Sequence, residues 1–417
     1  MERRVLTNKP AVAATGLDAR LAALLARHRP GFSLAAEFYT EPAIYALELE
    51  RVVYRNWILA GHESEWSAQG DYRAVAAGAE SAIIVRGTDG ELRAFANVCR
   101  HRGSRICLDD AGRADALTCP YHGWRYALDG ELTHAREMPD GFERRRYGLK
   151  ALPLALVHGL VFVAFAAPPS LAAARDALRE PMAWFGFESL RVAARRRYEI
   201  PANWKLAIEN YQECYHCAPA HPEYAARHTL MLAPKRRARL QADMRERFTG
   251  AGLRELEVDR IDTRAPDGQT GFGYSRTALF DGYLTGSRDG KPVAPLLGEL
   301  TDYDSGASDF SFGGANFLLA YSDHVVAYVF TPVDHQNAAL TVIWFVKAGA
   351  EAGRDYDESE LTWLWDHTTR QDIEIITNNA RGVRSQFHEP GPLSTMEAAL
   401  GNWLDWYLTE LAREEPA

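Results

Sequence analysis

Asn97-Val98-Cys99-Arg100-His101-Arg102-Gly103 and Thr118-Cys119-Pro120-Tyr121-His122-Gly123-Trp124 contain two short clips, Cys-x-His and Cys-x-x-His, with seventeen residues between His101 and Cys119. Two thiolates and two imidazoles in this pattern form the ligand set of a Rieske [2Fe–2S] centre, in which two Cys hold one iron and two His hold the other. A structural zinc site also uses two Cys and two His, but as a Cys pair followed by a His pair. Here each clip is mixed, so each loop is expected to reach both metals of a binuclear cluster. One clip alone would be coincidence. Two at this spacing, each closed by a glycine suited to a tight turn and close backbone approach, make a cluster site.

Working outward, the texture from residue 48 to residue 167 is that of short strands and turns. Residues 81–86 read as a strand, Thr88-Asp89-Gly90 as a turn and 92–95 as the returning strand. Trp124-Arg125-Tyr126 leads into Asp129-Gly130, a hairpin signal, and residues 160–165 close the block before Pro168-Pro169. Beyond the prolines, helical periodicity over 171–187, 204–215 and 358–380 mixes with strands at 325–330 and 340–346. Unalternated helix and strand of this kind predict an α+β fold with an antiparallel sheet. The expected division is an N-terminal arm (1–47) packing with the catalytic domain, an all-β cluster domain (48–167) and a catalytic domain (168–417). Residues 262–310, rich in Gly, Asp and Ser, read as a loop that could cover a pocket.

The bulk properties narrow the function classes. With 417 residues and 47% hydrophobic composition, the chain can hold two or three cored domains. The net charge of −9, without a basic face interleaved with aromatics, argues against nucleic acid as a partner. The runs Arg144-Arg145-Arg146 and Arg195-Arg196-Arg197 read as solvated surface. Of five Cys, two belong to the clips, and Cys107, Cys214 and Cys217 are expected as free thiols of a reducing compartment. No apolar stretch is long enough to cross a membrane, and Arg3, Arg4 and Lys9 are not followed by the apolar core of a signal peptide. Residues 17–28 read instead as an amphipathic helix. The cytoplasm is the expected location.

The segment from Trp204 to His221 is the second rich stretch. Glu209, Glu213 and His216 fall at intervals of four and three, which places them on one face of a helix. His221 lies five beyond His216, about 140° around an unbroken helix at roughly 100° per residue. Pro219 makes such a helix untenable, so a distorted or ended turn is needed to bring both imidazoles to one metal. Two His and one carboxylate with open positions form the facial triad of non-haem Fe(II) oxygenases. The late helix offers the carboxylate: Leu361, Leu364, Trp365, Thr368, Ile375 and Ile376 define its inward stripe, and Asp372 projects from the middle of it. A carboxylate there is costly unless paired or metal-bound. Asp366 and Glu374 read as surface.

With these motifs the chain resembles the catalytic α subunit of Rieske non-haem iron ring-hydroxylating oxygenases, over nearly all its length. The resemblance rests on the clips, on the Asn-x-x-acid-x-Tyr-His-x4-His segment from Asn210 to His221, and on the late carboxylate. It implies a helix-grip catalytic domain, mononuclear iron on His216, His221 and Asp372, and Asn210 near that iron. It also implies that Glu213 passes electrons between subunits of a homotrimer, from His101 or His122 of a neighbour. Electrons would come from NAD(P)H through a separate flavin and iron–sulfur reductase, and O2 would be the oxidant. Glu213 stands where many aromatic-ring dioxygenases have Asp. Together with Phe387-His388-Glu389-Pro390-Gly391-Pro392-Leu393-Ser394 it resembles the branch acting on quaternary ammonium compounds, including glycine betaine, carnitine and stachydrine oxygenases. The implied reaction is oxidative N-demethylation. Ring hydroxylation of an aromatic acid by the same metals, and a Rieske electron carrier without oxygenase activity, are the alternatives. A cationic substrate calls for aromatic faces or a carboxylate in the pocket. Tyr321, Tyr328, Phe330, Trp344 and Phe345 fall in the sheet region, with no cage singled out among them.

Overall fold

The computed structural model describes residues 14–232, 234–251, 260–263 and 268–413. Short strands joined by glycine turns build the first part. An antiparallel five-stranded sheet runs in the order Ala111–Arg113, Asp71–Ala77, Glu80–Arg86, Leu92–Ala96, Ala151–Leu152. A smaller sheet, Leu117–Thr118, Arg125–Tyr126 and Leu132–His134, shares its core through Ile83, Val85, Phe95, Trp124 and Tyr126. The Asp129-Gly130 hairpin needs its glycine twice over. Gly130 has φ of 89°, and a Cβ there would lie 2.5 Å from the Phe95 ring.

A third sheet, Ile58–His62, Leu160–Val163 and Leu154–Val157, ties this region to the rest. Its middle strand is buried throughout, and Phe162 meets Phe312 with ring centroids 5.2 Å apart. Beyond it, seven antiparallel strands follow the order Leu190–Ile200, Ala338–Lys347, Val325–Pro332, Asn316–Ala320, Gly306–Phe312, Phe272–Ala278, Arg260–Thr263. The strand Val325–Pro332 is buried at every position because both faces of the sheet are covered. Phe310 and Phe312 face Phe187 and Phe162 on one side. On the other, Tyr211 stacks on Phe317 at 4.4 Å and meets Phe330 at 5.8 Å. That second side carries the helix Trp204–Tyr211 and the long helix Glu358–Val383. The long helix starts where Asp357 accepts hydrogen bonds from the backbone of Ser359 and Glu360, and it buries Leu361, Leu364, Trp365, Thr368 and Ile376.

Four expectations need correction. The helix predicted over 204–215 stops at Tyr211, because Glu213 turns its carboxylate back onto the backbone N–H groups of Tyr215 and His216. The stretch 262–310 is not one loop. Phe272–Ala278 and Gly306–Phe312 are strands, and the alternation in the first was hidden by Arg276, a buried cation satisfied by Asp304 and Ser308. Arg195 and Arg196 are not solvated surface: Arg195 holds Glu65 at 2.7 Å, and Arg196 holds Asp366 at 3.0 Å over the Trp344 ring. Asp366 accordingly is no surface acid, since it also accepts from the Tyr198 hydroxyl at 2.5 Å.

Three segments distant in sequence converge on one buried ion pair. Lys205, at the start of the helix Trp204–Tyr211, donates to Glu48 at 2.6 Å and to Asn203 at 2.7 Å. Glu48 also accepts from Trp204 at 2.9 Å and from Tyr407 of the C-terminal helix Ala398–Ala412 at 2.5 Å. Burial lowers the Lys205 pKa, and the adjacent Glu48 carboxylate opposes that lowering. Lys205→Met is therefore expected to cost about 3–5 kcal/mol in chemical denaturation by leaving Glu48 buried and unpaired, with much of the loss recovered when Glu48 is also made apolar.

Candidate metal centres

Each clip is a tight loop closed by its own backbone. Gly103 N–H donates to the Cys99 carbonyl and Gly123 N–H to that of Cys119, and both glycines have positive φ, 79° and 72°. Asn97 braces the first loop, its carbonyl oxygen accepting from the N–H groups of Ile106 and Cys107 at 2.9 Å. The result sorts the ligands. Cys99 and Cys119 lie buried and side by side, at 3% and 2% exposure, while His101 is exposed and His122 half-buried. The two imidazoles neighbour each other at 4.7 Å between centroids, and His101 stacks on Trp124 at 4.9 Å. A sulfur pair inside and a nitrogen pair outside is what a binuclear cluster requires when one iron is held by two Cys and the other by two His. The Tyr126 hydroxyl lies 3.3 Å from Cys99 Sγ and would hydrogen-bond a thiolate there. Nothing in the local sequence marks Tyr126, which reaches the clip across the hairpin.

The second constellation joins the short helix region to the long helix. After Tyr211 the chain makes a turn through His216, a short helix Cys217–Ala220, a break at His221 (φ −129°, ψ 72°) and a further turn Pro222–Ala225. Pro219 thus sits inside the short helix, and the break falls at His221. That break swings His221 beside His216, with centroids 5.2 Å apart. His221 Nε2 lies 2.8 Å and His216 Nε2 3.4 Å from one oxygen of Asp372. The three ligand atoms fall within 4.8 Å of one another.

The outer nitrogens are held as well. Glu213 Oε1 lies 2.5 Å from His216 Nδ1, and Gln371 Oε1 lies 2.9 Å from His221 Nδ1. These partners set both tautomers so that Nε2 is free to ligate. Asn210 Nδ2 lies 3.4 Å from His216 Nε2, beside the inward-facing nitrogen. Gln371 was not foreseen, because its only signal is adjacency to Asp372. Burial opposes charge on His216, yet Asp372 and Glu213 outweigh it and raise its pKa to about 9. His221 is likewise raised against its burial by Asp372, and Asp372 is lowered against its burial by the two imidazoles. The carboxylate thus favours positive charge on the two imidazoles, and two imidazoles with one carboxylate make a donor set that suits a divalent transition metal.

Two readings of this segment change. Glu209 does not join Glu213 and His216 on one face: it points into the interior, accepts from the Tyr39 hydroxyl at 2.9 Å, and burial pushes its pKa up to about 8. Cys214 and Cys217 are not free thiols but a disulfide bracketing Tyr215 and His216. The free-thiol argument for a reducing compartment therefore no longer holds. No helix among the described residues is long and apolar enough to cross a membrane.

Known proteins carry the same architecture. Residues 56–153 match the Rieske [2Fe-2S] domain family, and residues 187–412 match the family described as ring hydroxylating alpha subunit (catalytic domain). A glycine betaine monooxygenase oxygenase subunit from Pseudomonas aeruginosa (strain UCBPP-PA14) is 33% identical over 388 residues, 90% of this chain and 88% of that one. A carnitine monooxygenase oxygenase subunit from Escherichia coli (strain K12) is 36% identical over 207 residues, 48% of this chain and 55% of that one. The solved structure of a quaternary ammonium Rieske monooxygenase, described as giving insights into carnitine oxidation and inter-subunit electron transfer, shares the fold. Its TM-score is 0.71 at 23% identity, covering 93% of this chain and 97% of that chain.

His216→Ala is expected to lower the iron content from about three to about two per chain while the visible absorption of the cluster persists. Gln371→Leu should weaken mononuclear iron binding by about 10–100-fold, measured by chelator competition, without touching the cluster.

Proposed function

The chain belongs to the ring-hydroxylating α-subunit family of Rieske oxygenases, and from that premise we propose that it is the terminal oxygenase of a system that N-demethylates a small quaternary ammonium compound. The observation that carries the oxygenase reading is the convergence of His216, His221 and Asp372 within 4.8 Å, in a chain that also holds paired Cys and paired His. The named activities of its relatives, on glycine betaine and carnitine, support the substrate class.

Cys99 and Cys119 would hold the inner cluster iron, His101 and His122 the outer one, and His216, His221 and Asp372 the mononuclear iron. When bound, the cluster supplies single electrons and the mononuclear iron supplies oxygen activation. The chain's own residues position these groups. Glu213 and Gln371 hold the two imidazoles in register, and Asn210 lies beside the inward-facing nitrogen of His216. Glu213 is also the relay we assign to electron entry. Among the described residues no hydrogen bond joins it to His101 or His122 of the same chain, and His101 is exposed. We assign the relay's electron source to a neighbouring protomer's cluster, in a homotrimer fed by a separate NAD(P)H-linked reductase; the inter-subunit electron transfer named for the quaternary ammonium Rieske monooxygenase structure supports this assignment.

In the overall reaction O2, two electrons and two protons hydroxylate one N-methyl group and release water. The hydroxymethyl product then loses formaldehyde and a proton, leaving a tertiary amine. With a suitable reductase, O2 uptake driven by betaines should be matched by formaldehyde; uptake driven only by aromatic acids, without formaldehyde, would establish ring hydroxylation instead. A pure electron carrier would contain about two irons per chain rather than about three. Glu213→Gln keeps an acceptor for His216 Nδ1, so the variant should retain iron yet reoxidise its reduced cluster at least about tenfold more slowly in a single turnover. Unchanged reoxidation would remove Glu213 from the route.

A further inference from the structure

We infer that Asp309 is the counter-ion for a cationic onium centre, set in a cage formed by Tyr211, Tyr224, Tyr321, Tyr328 and Trp365 beside the mononuclear iron site. This rests on the quaternary ammonium reading above and names the group that would select such a substrate.

Strand register puts Asp309 on the iron side of the seven-stranded sheet. Its neighbours Phe310 and Phe312 face the opposite way, toward Phe187 and Phe162. Asp309 pairs across the sheet with Leu319, and Ser311 with Phe317, the residue on which Tyr211 stacks at 4.4 Å. Tyr321 follows Leu319 by two positions. The rings form a continuous group: Tyr328 meets Tyr211 at 5.1 Å, and Trp365 meets Tyr224 and Tyr321 at 5.9 Å each and Tyr328 at 6.2 Å. His228 holds the Tyr321 hydroxyl at 2.7 Å and lies stacked on Tyr224 at 3.9 Å, so two walls are braced from behind.

Among the described residues no hydrogen bond or ion pair reaches the Asp309 carboxylate. Asp309 is half-buried by accessible surface and lies close enough for its charge to act on Tyr211, Tyr224 and Tyr321. Burial alone, with no compensating partner, pushes its pKa up to about 7. An unpaired carboxylate in such a place is costly: among the described residues Glu48 is paired by Lys205, Asp304 by Arg276 and Asp372 by two imidazoles, and even Glu209 accepts from the Tyr39 hydroxyl. Tyr211 and Tyr224 each feel the charges of both Asp309 and Asp372, so these two rings lie near the carboxylate and the iron ligands alike. Aromatic faces plus a carboxylate suit a trimethylammonium group, which cannot donate a conventional hydrogen bond and is recognised by charge and π-faces. Of the aromatics weighed from sequence, Tyr321 and Tyr328 belong to this cage, whereas Phe345 packs on His62 and Trp344 under Arg196.

The test compares iron-replete wild type with Asp309→Asn. Binding of tetramethylammonium chloride and of dimethylbutanol, an uncharged carbon isostere of choline, is followed by intrinsic fluorescence, and KM is measured for betaine-driven O2 uptake. In the variant, cation affinity should fall about 30-fold or more while the neutral alcohol binds as before. Thermal stability without ligand should be equal or higher, because an unpaired buried charge has been removed. Equal loss of both ligands with lowered stability would make Asp309 structural, and unchanged cation affinity would leave it without a role; either overturns the inference. Formaldehyde-releasing turnover that is indifferent to Asp309→Asn refutes the counter-ion alone. Asp309-dependent cation binding without formaldehyde from any onium compound refutes the N-demethylation reading and leaves the cation site standing.

Discussion

Asp372 is a carboxylate set in the apolar stripe of a long helix, and its burial is tolerable only because His216 and His221 are held against it. Much of the catalytic region serves that requirement. The long helix must lie on the sheet at the right depth, which its buried Leu361, Leu364, Trp365 and Ile376 ensure. The two imidazoles must arrive from a separate segment, which the break at His221 and the early end of the helix Trp204–Tyr211 accomplish. Glu213 acts in both steps: its carboxylate caps the turn and also orients His216.

The Lys205–Glu48 pair secures the other end of the same unit. It joins the start of the imidazole-bearing segment to the N-terminal region and, through Tyr407, to the C-terminal helix. A buried ion pair gains little net stability over apolar packing, but it penalises any misaligned arrangement heavily, since either partner alone would be stranded. Registry of this kind suits a site whose ligands must meet to within a fraction of an ångström.

The two metal centres are built on opposite plans. The cluster clips sit on surface loops, with sulfurs inward and imidazoles outward, so the group that must exchange electrons is presented at the exterior. The residues of the mononuclear site lie between helices and sheet, near the packed rings of Tyr211 and Tyr328, with His221 buried and His216 and Asp372 only partly exposed. One plan favours contact with partners, and the other favours controlled access.

Sequence by itself determined the two mixed clips that the fold brings together, the β texture around them, the long late helix and the carboxylate, Asp372, that meets His216 and His221. Ligand spacing and a polar residue in an apolar stripe are local patterns, and local patterns survive without coordinates. It erred where a local pattern was satisfied at long range. Arg276 hid a strand because its partner Asp304 lies 28 residues away, and Asp366, on the long helix, passed for surface because Tyr198 and Arg196 come from the distant strand Leu190–Ile200. Glu209 shared a helical spacing with Glu213, but the helix ended between them and Tyr39 drew it inward. Only the tertiary structure decided the Cys214–Cys217 disulfide, the role of Gln371 and the isolation of Asp309. Each depends on which groups meet in space, or fail to meet, and that is set by packing across the sheet rather than by neighbours along the chain.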